Sequence, residues 1–214
     1  MSRRPEPVAP AGSLSRWRAG PTRLSRLVLG LFLFGTGEGF LVAADLGVSP
    51  WTVLAQGVAL HTALSVGIAT VAISVLLLLL WIPLRQRPGL GTVLNALLIG
   101  LFIDLTLWWV PDELSLVVRA LLVPAAILLV ALGSGFYLTT RLGPGPRDGL
   151  MTGLHRVTGL SLRMVRAGIE VSAVVVGFAL GGTVGIGTVA FALLVGPMVQ
   201  ACVHAIGGRD TASL

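Results

Sequence analysis

The sequence predicts an all-α membrane protein. Six transmembrane helices form two inverted three-helix repeats, each with a short re-entrant or interfacial helix after its first span. Three observations predict this. Mean hydropathy is +0.93 and only 11% of residues are charged, whereas a soluble domain carries about a quarter. Six apolar segments, at 24–44, 65–84, 90–110, 117–140, 162–181 and 186–206, approach or reach the roughly 20 residues that cross a bilayer. Finally, the chain aligns with itself, without a gap, at a shift of 96 residues.

Residues 1–23 are rich in Pro, Arg, Ser and Gly and contain no long apolar run. That composition predicts a disordered, basic tail. It lacks the short apolar core and small-residue cleavage site of a removable signal peptide. The net charge of +6 comes entirely from arginine, since the chain has no lysine. The arginines alternate between loops. The N-terminus is basic, the 45–64 loop has none, Arg85 and Arg87 follow, and 141–163 holds Arg141, Arg147, Arg156 and Arg163. The 181–187 loop has none, and Arg209 follows the last span. Arginine-rich loops stay cytoplasmic, which predicts both termini, including the 208–214 tail, on that side. Basicity of this kind orients spans and does not point to nucleic acid.

The first repeat is read as 24–112 and the second as 113–207. In the alignment of 33–105 with 129–201, 23 of the 73 pairs are identical. Leu46, Gly47, Pro50, Leu54 and Gly57 fall on Leu142, Gly143, Pro146, Leu150 and Gly153. Gly89, Gly91, Thr92 and Val93 fall on Gly185, Gly187, Thr188 and Val189. Each repeat holds three spans, an odd number, so the second enters the membrane from the opposite side. Duplications of that kind are common in secondary transporters. The charge pattern agrees, because the arginine-free loop at 45–64 matches the arginine-rich one at 141–160.

Each repeat also contains an LGxxP element that starts a helix, LGVSP at 46–50 and LGPGP at 142–146. Ser49 and Gly145 suit the N-cap, and Pro50 and Pro146 the first helical position. The helices that follow, at about 50–63 and 146–158, are too short to span. They lie either on the membrane surface or dip in as half-helices, and paired Gly/Pro-interrupted short segments mark a transporter's binding site. Candidate solute-binding residues are therefore Pro50, Trp51 and Gln56 from the first, Arg147 and Asp148 from the second, and Arg166.

Ionisable groups inside spans are costly and usually functional. Glu38, Asp104 and Glu170 are the candidates for proton coupling. Glu170 lies eight to nine residues into its span, close to the midplane at about 1.5 Å per residue. Its plainer role is a pair with Arg166, one helical turn earlier, or with Arg147. Glu38, Asp104, Arg166 and Glu170 align with Ser134, Gln200, Thr70 and Ser74. The positions stay polar in both repeats, which places them toward the bundle. Gly35 and Gly39, and again Gly177 and Gly181, have the four-residue spacing of close helix packing.

Other chemistry is not indicated. The single Cys202 forms no internal disulfide, and His61, His155 and His204 lack metal-ligand spacing. The GLGT and GIGT stretches lack the preceding strand, third glycine and downstream acid of a dinucleotide fingerprint. No nucleophile–base set suggests an enzyme, and no cofactor is expected.

The LGxxPW, GPRDGLMTGL, RxxxE and GIGT stretches together resemble the YczE/YyaS/YitT type of bacterial membrane protein, over about residues 24–207. The resemblance implies a multi-pass protein of the bacterial inner membrane and implies no particular activity. The function expected from the residues is a small secondary transporter or exporter of an anionic or zwitterionic small molecule. The site would lie between the repeats, and transport could be coupled to protons. The alternative is a non-transporting scaffold or accessory subunit with a cytoplasmic docking surface at 143–156. Expected partners are the lipid bilayer, an unidentified small molecule and, as an alternative to a monomer, a second copy in a homodimer.

Overall fold

The computed structural model describes residues 15–207. Residues 1–14 of the tail read as disordered, and the 208–214 tail, lie outside that range. Among the described residues there are eight helices and no strand: α1 (Pro21–Ala44), α2 (Pro50–Leu60), α3 (Val66–Leu80), α4 (Leu90–Trp109), α5 (Leu116–Thr139), α6 (Pro146–Thr158), α7 (Leu162–Ala179) and α8 (Ile186–Gly207).

Four of these, α1, α4, α5 and α8, are long and apolar enough to cross a membrane. The other two segments read as spans fall short for different reasons. α3 is apolar apart from Thr70 and Ser74 but has 15 residues, or about 22 Å at 1.5 Å per residue. Its chain tightens after Leu80 into successive turns, in which Ile82 and Arg85 N–H donate to Leu79 and Ile82 carbonyls. α7 has 18 residues but carries Arg163, Arg166 and Glu170. α1 starts at Pro21, ahead of its apolar run, because Pro suits the first helical turn. Just before it, Arg16 carbonyl accepts from Leu90 N–H at 3.0 Å, and Arg23 donates twice to the Thr140 carbonyl.

Packing puts α1 and α5 at the centre, with α4 on the far side of α1 and α8 on the far side of α5. The shorter helices close a ring beside this row: α2 contacts α3 and α7, and α6 contacts the same two. α1 and α5 run antiparallel, since Gly30 meets Gly133 while Gly37 meets Ala126 and Val130. A Cβ at Gly30 would lie 2.7 Å from the Gly133 carbonyl, and one at Gly133 2.5 Å from the Gly30 carbonyl. Lipid tails are as apolar as the helices, so such backbone approach, with its dispersion contacts, holds spans together. Leu27 and Leu31 of α1, Ile127 and Val130 of α5 and Ile103 of α4 belong to one buried apolar cluster.

Gly35 and Gly39 do pack closely, against Ile99, Phe102 and Thr106 of α4, and Gly177 packs against Leu54 of α2. Gly181 does something else: it lies beyond α7 with φ of +87°, a turn conformation.

The 96-residue relation recurs in the backbone. Asp45 and Arg141, Gly47 and Gly143, and Arg85 and Gly181 all adopt left-handed φ, each at the position matching its partner. Gly91 N–H donates to the Leu142 carbonyl at 2.9 Å, and Gly187 N–H to the Leu46 carbonyl at 2.8 Å. Gly89 N–H donates to Thr92 Oγ1, and Gly185 N–H to Thr188 Oγ1. The GLGT and GIGT stretches are therefore clamps. Each starts the last helix of one half of the chain and holds the LGxxP loop of the other half.

The short helices sit differently against their neighbours. α2 approaches α7 through Gly57 and Gly177. Between α3 and α6 stands Trp81, 2% exposed, whose Nε1–H donates to the Pro146 carbonyl at 3.0 Å. Its ring fills the place a side chain at Gly149 would take. Trp81→Ala is expected to cost about 3–5 kcal/mol, read as a lowered thermal unfolding temperature in detergent. An unchanged temperature would show that α6 is held without it.

Candidate functional site

A cavity of about 250 Å³ lies where the N-terminal ends of α2 and α6 converge. Their start signals explain the convergence. Each LGxxP loop turns on a left-handed glycine, and proline then begins the helix. Pro50 and Trp51 of α2 line the cavity together with Gly145, the N-cap of α6, and Arg147, Asp148 and Met151 within it. The walls are otherwise largely apolar, from Phe34, Ile99, Val130, Ile169, Phe191, Val195 and Val199.

Arg147 stands at the centre of the site. Its Cζ lies 5.7 Å from the ring centroids of both Phe34 and Trp51. Cation–π attraction of this kind is worth about 0.5–2 kcal/mol, and leaves the guanidinium N–H groups free to donate. Among the described residues Arg147 forms no ion pair. Trp51 is the counterpart of Arg147 under the 96-residue shift. The first N–H groups of a helix have no partner within it and carry its positive dipole end, so two such ends and one guanidinium meet here.

The acids beside it are occupied. Asp148 Oδ2 accepts from Tyr137 Oη at 2.7 Å. Arg166 Nε donates to Glu170 Oε1 at 2.9 Å, the expected pair one turn apart, and both side chains line the cavity. Arg147 and Asp148 thus share one cavity with Arg166 and Glu170.

Three of the sequence-predicted residues sit elsewhere. Gln56 Oε1 accepts from Thr183 N–H at 3.0 Å, tying α2 to the loop before α8. Asp104 binds the start of α3, accepting from Ser65 Oγ and, at 2.8 Å, from Gly67 N–H. Glu38 is fully buried behind α2, and its Oε2 accepts from Ser49 Oγ and Thr52 Oγ1, each at 2.7 Å. Ser49 therefore holds the N-cap position but spends its hydroxyl on Glu38, not on its own helix. The two halves use one device in mirror fashion. In the first, an acid on the long helix takes hydroxyls from the short one; in the second, Tyr137 on the long helix donates to an acid on the short one.

Sequence reasoning did not nominate Asn95, Ser134, Tyr137 or Gln200, all of which line the cavity. Signals existed. Tyr137 is the only tyrosine and Asn95 is a lone amide inside an apolar span. Ser134 and Gln200 are the repeat counterparts of Glu38 and Asp104. No group of three or more potential metal ligands is present among the described residues.

The chain matches a family described as a family of unknown function, DUF6198, over residues 21–204. An uncharacterized protein of Haemophilus influenzae is 42% identical over 186 residues, covering 87% of this chain and 85% of that protein. The uncharacterized membrane protein YczE of Bacillus subtilis is 31% identical over 173 residues, 80% of each chain. The uncharacterized protein YyaS of the same organism is 27% identical over 176 residues, 80% of this chain and 88% of that one. No solved structure matches. These matches spread over nearly the whole chain: it is a membrane protein and belongs to DUF6198, the YczE/YyaS-type family.

Proposed function

We propose that the chain is a small secondary transporter or exporter of an anionic or zwitterionic small molecule, bound between two inverted three-span repeats. The observation that carries this reading is Arg147: a cation without an ion pair among the described residues, in a cavity where two helix N-termini converge. Paired, interrupted half-helices of this kind form the solute sites of inverted-repeat transporters. The contact at 5.7 Å between Arg147 and Trp51 also favours re-entrant helices. Helices lying on opposite membrane surfaces would be separated by about 30 Å of hydrocarbon. The recurrent backbone pattern and the antiparallel α1–α5 pair support the inversion. In this reading α3 and α7 complete the six spans, and both termini face the cytoplasm of a bacterial inner membrane.

At about 250 Å³ the cavity lies just below the usual range of ligand sites, about 300–1,000 Å³, which favours a solute of amino-acid or small organic-acid size. Glu170, in the cavity and paired with Arg166, is the favoured proton-coupling group. Asp104 and Glu38 are weaker candidates, since their hydrogen bonds tie helices together. The scaffold reading is disfavoured because Pro146, Gly149, Leu150 and Gly153, within its docking surface, are buried.

The test is electrogenic or pH-linked movement of a panel of small anions and zwitterions into proteoliposomes. No movement for any member, from folded protein, removes the proposal. Glu170→Gln is expected to slow pH-driven uptake about a hundredfold, the lower end of what one proton-transferring side chain contributes. Full pH dependence in that variant would end the coupling role.

A further inference from the structure

The 96-residue relation makes the α3–α4 and α7–α8 seams counterparts in sequence. They are not counterparts in structure. α3 packs along α4, whereas α7 makes almost no contact with α8. At the first seam Gly67 and Gly100 press backbone to backbone, and a Cβ on either would collide with the carbonyl oxygen of the other. Asp104 then latches the start of α3 through Ser65 Oγ and Gly67 N–H.

Ser65, Gly67, Gly100 and Asp104 correspond to Ser161, Arg163, Gly196 and Gln200. Ser161 caps its own helix at Met164 N–H, but among the described residues it makes no bond to Gln200. A Cβ on Gly196 would meet nothing within 4 Å. Gly196, Val199 and Gln200 line the cavity from one side of this gap, and Arg166, Ile169 and Glu170 from the other. The cavity thus opens between α7 and α8, while the matching seam is shut. α8 also carries Pro197 where α4 has Leu101. Proline removes one helical hydrogen bond and lets the helix bend beside the gap.

Inverted repeats give alternating access when one repeat rocks against the other around a fixed site. We propose that this structure is the state open at the arginine-rich, cytoplasmic face. The Ser65–Gly67–Gly100–Asp104 contact is its closed outer gate, and the α7–α8 seam is its open inner gate. In the opposite state the latch breaks and α7 closes on α8. Arg163 stands where the outer gate has Gly67, so the inner gate closes through side chains, Arg163 toward Gln200, and not backbone to backbone. The proposal rests on the transporter reading and assigns Asp104 to the gate.

The test needs no solute. In a Cys202→Ser background, Gln200→Cys and Ser74→Cys report the inner and outer mouths to a membrane-impermeant maleimide, applied to inside-out and right-side-out vesicles. Gln200→Cys is expected to label from the cytoplasmic face at least about tenfold faster than from the other. Ser74→Cys is expected to resist labelling from outside until Asp104→Ala breaks the latch. Labelling then rises about tenfold, as an open population growing from about 1% to 10% would give. Ser65→Ala, which keeps the Gly67 tie, gives a smaller rise and decides the matter if Asp104→Ala does not fold. Gln200→Cys labelling equally from both faces, or no rise at Ser74→Cys in a folded latch variant, overturns the gate. A protein that passes these tests but moves no solute loses the transport reading alone. One that transports and fails them loses only the gate.

Discussion

Replacing Arg147 by Gln is expected to weaken solute binding and uptake by about 30- to 700-fold while leaving the fold intact. The estimate follows from the cost of truncating one partner of a buried, hydrogen-bonded charge pair, about 2–4 kcal/mol at the lower end, with each 1.4 kcal/mol worth tenfold. The fold should tolerate the change because Arg147 forms no ion pair among the described residues. Its stacking on Phe34 and Trp51 contributes about 0.5–2 kcal/mol. Arg147→Lys should recover only part of the loss, because an ammonium lacks the planar fork that stacks between rings while donating in two directions. Uptake into proteoliposomes and the thermal unfolding temperature check the two halves of the statement. Normal uptake in Arg147→Gln would remove this residue from the site.

Glu38 is expected to behave in the opposite way, with its effect on stability. It is fully buried, and two hydroxyls at the start of α2 donate to one of its oxygens at 2.7 Å. Glu38→Ala removes the shared acceptor of Ser49 and Thr52, leaving them only their 3.1 Å contact with each other, and opens a void, for about 3–5 kcal/mol in all. Glu38→Gln keeps one oxygen as acceptor and should cost about 1–2 kcal/mol. The measurement is unfolding in detergent followed by circular dichroism. If Glu38→Ala were as stable as the parent, α2 would be anchored by its glycine contacts with α7 alone. If Glu38→Gln were stable yet lost pH-linked uptake, Glu38 would return to the coupling candidates ahead of Glu170.

Much of the architecture is legible in the sequence because it depends on local chemistry. Apolar runs mark the spans, proline after an N-cap position marks the short helices, and α6 runs from Pro146 to Thr158 as its residues indicate. The Gly and Pro positions shared at 96 residues reappear as shared left-handed turns and shared clamps. Arg147, Asp148, Trp51, Pro50, Arg166 and Glu170 all line one cavity. A costly charge or a broken helix in a membrane announces itself wherever it lies.

Partner choice was not legible in this way. The roles of Glu38, Asp104 and Gln56 depend on which group lies opposite once helices pack. A carboxyl in a span has the same sequence signature whether it binds a solute or caps a neighbouring helix. For the same reason LGxxP and GxGT could be seen as duplicated motifs but not as the two halves of one clamp. The sequence by itself determined a helical membrane chain of two related halves and the residue types available at its centre. Only the tertiary structure decided that Arg147 meets Trp51, that Asp104 shuts one seam, and that the equivalent seam stands open. Those outcomes depend on contacts between positions about 40 to 100 residues apart, at distances set by backbone packing.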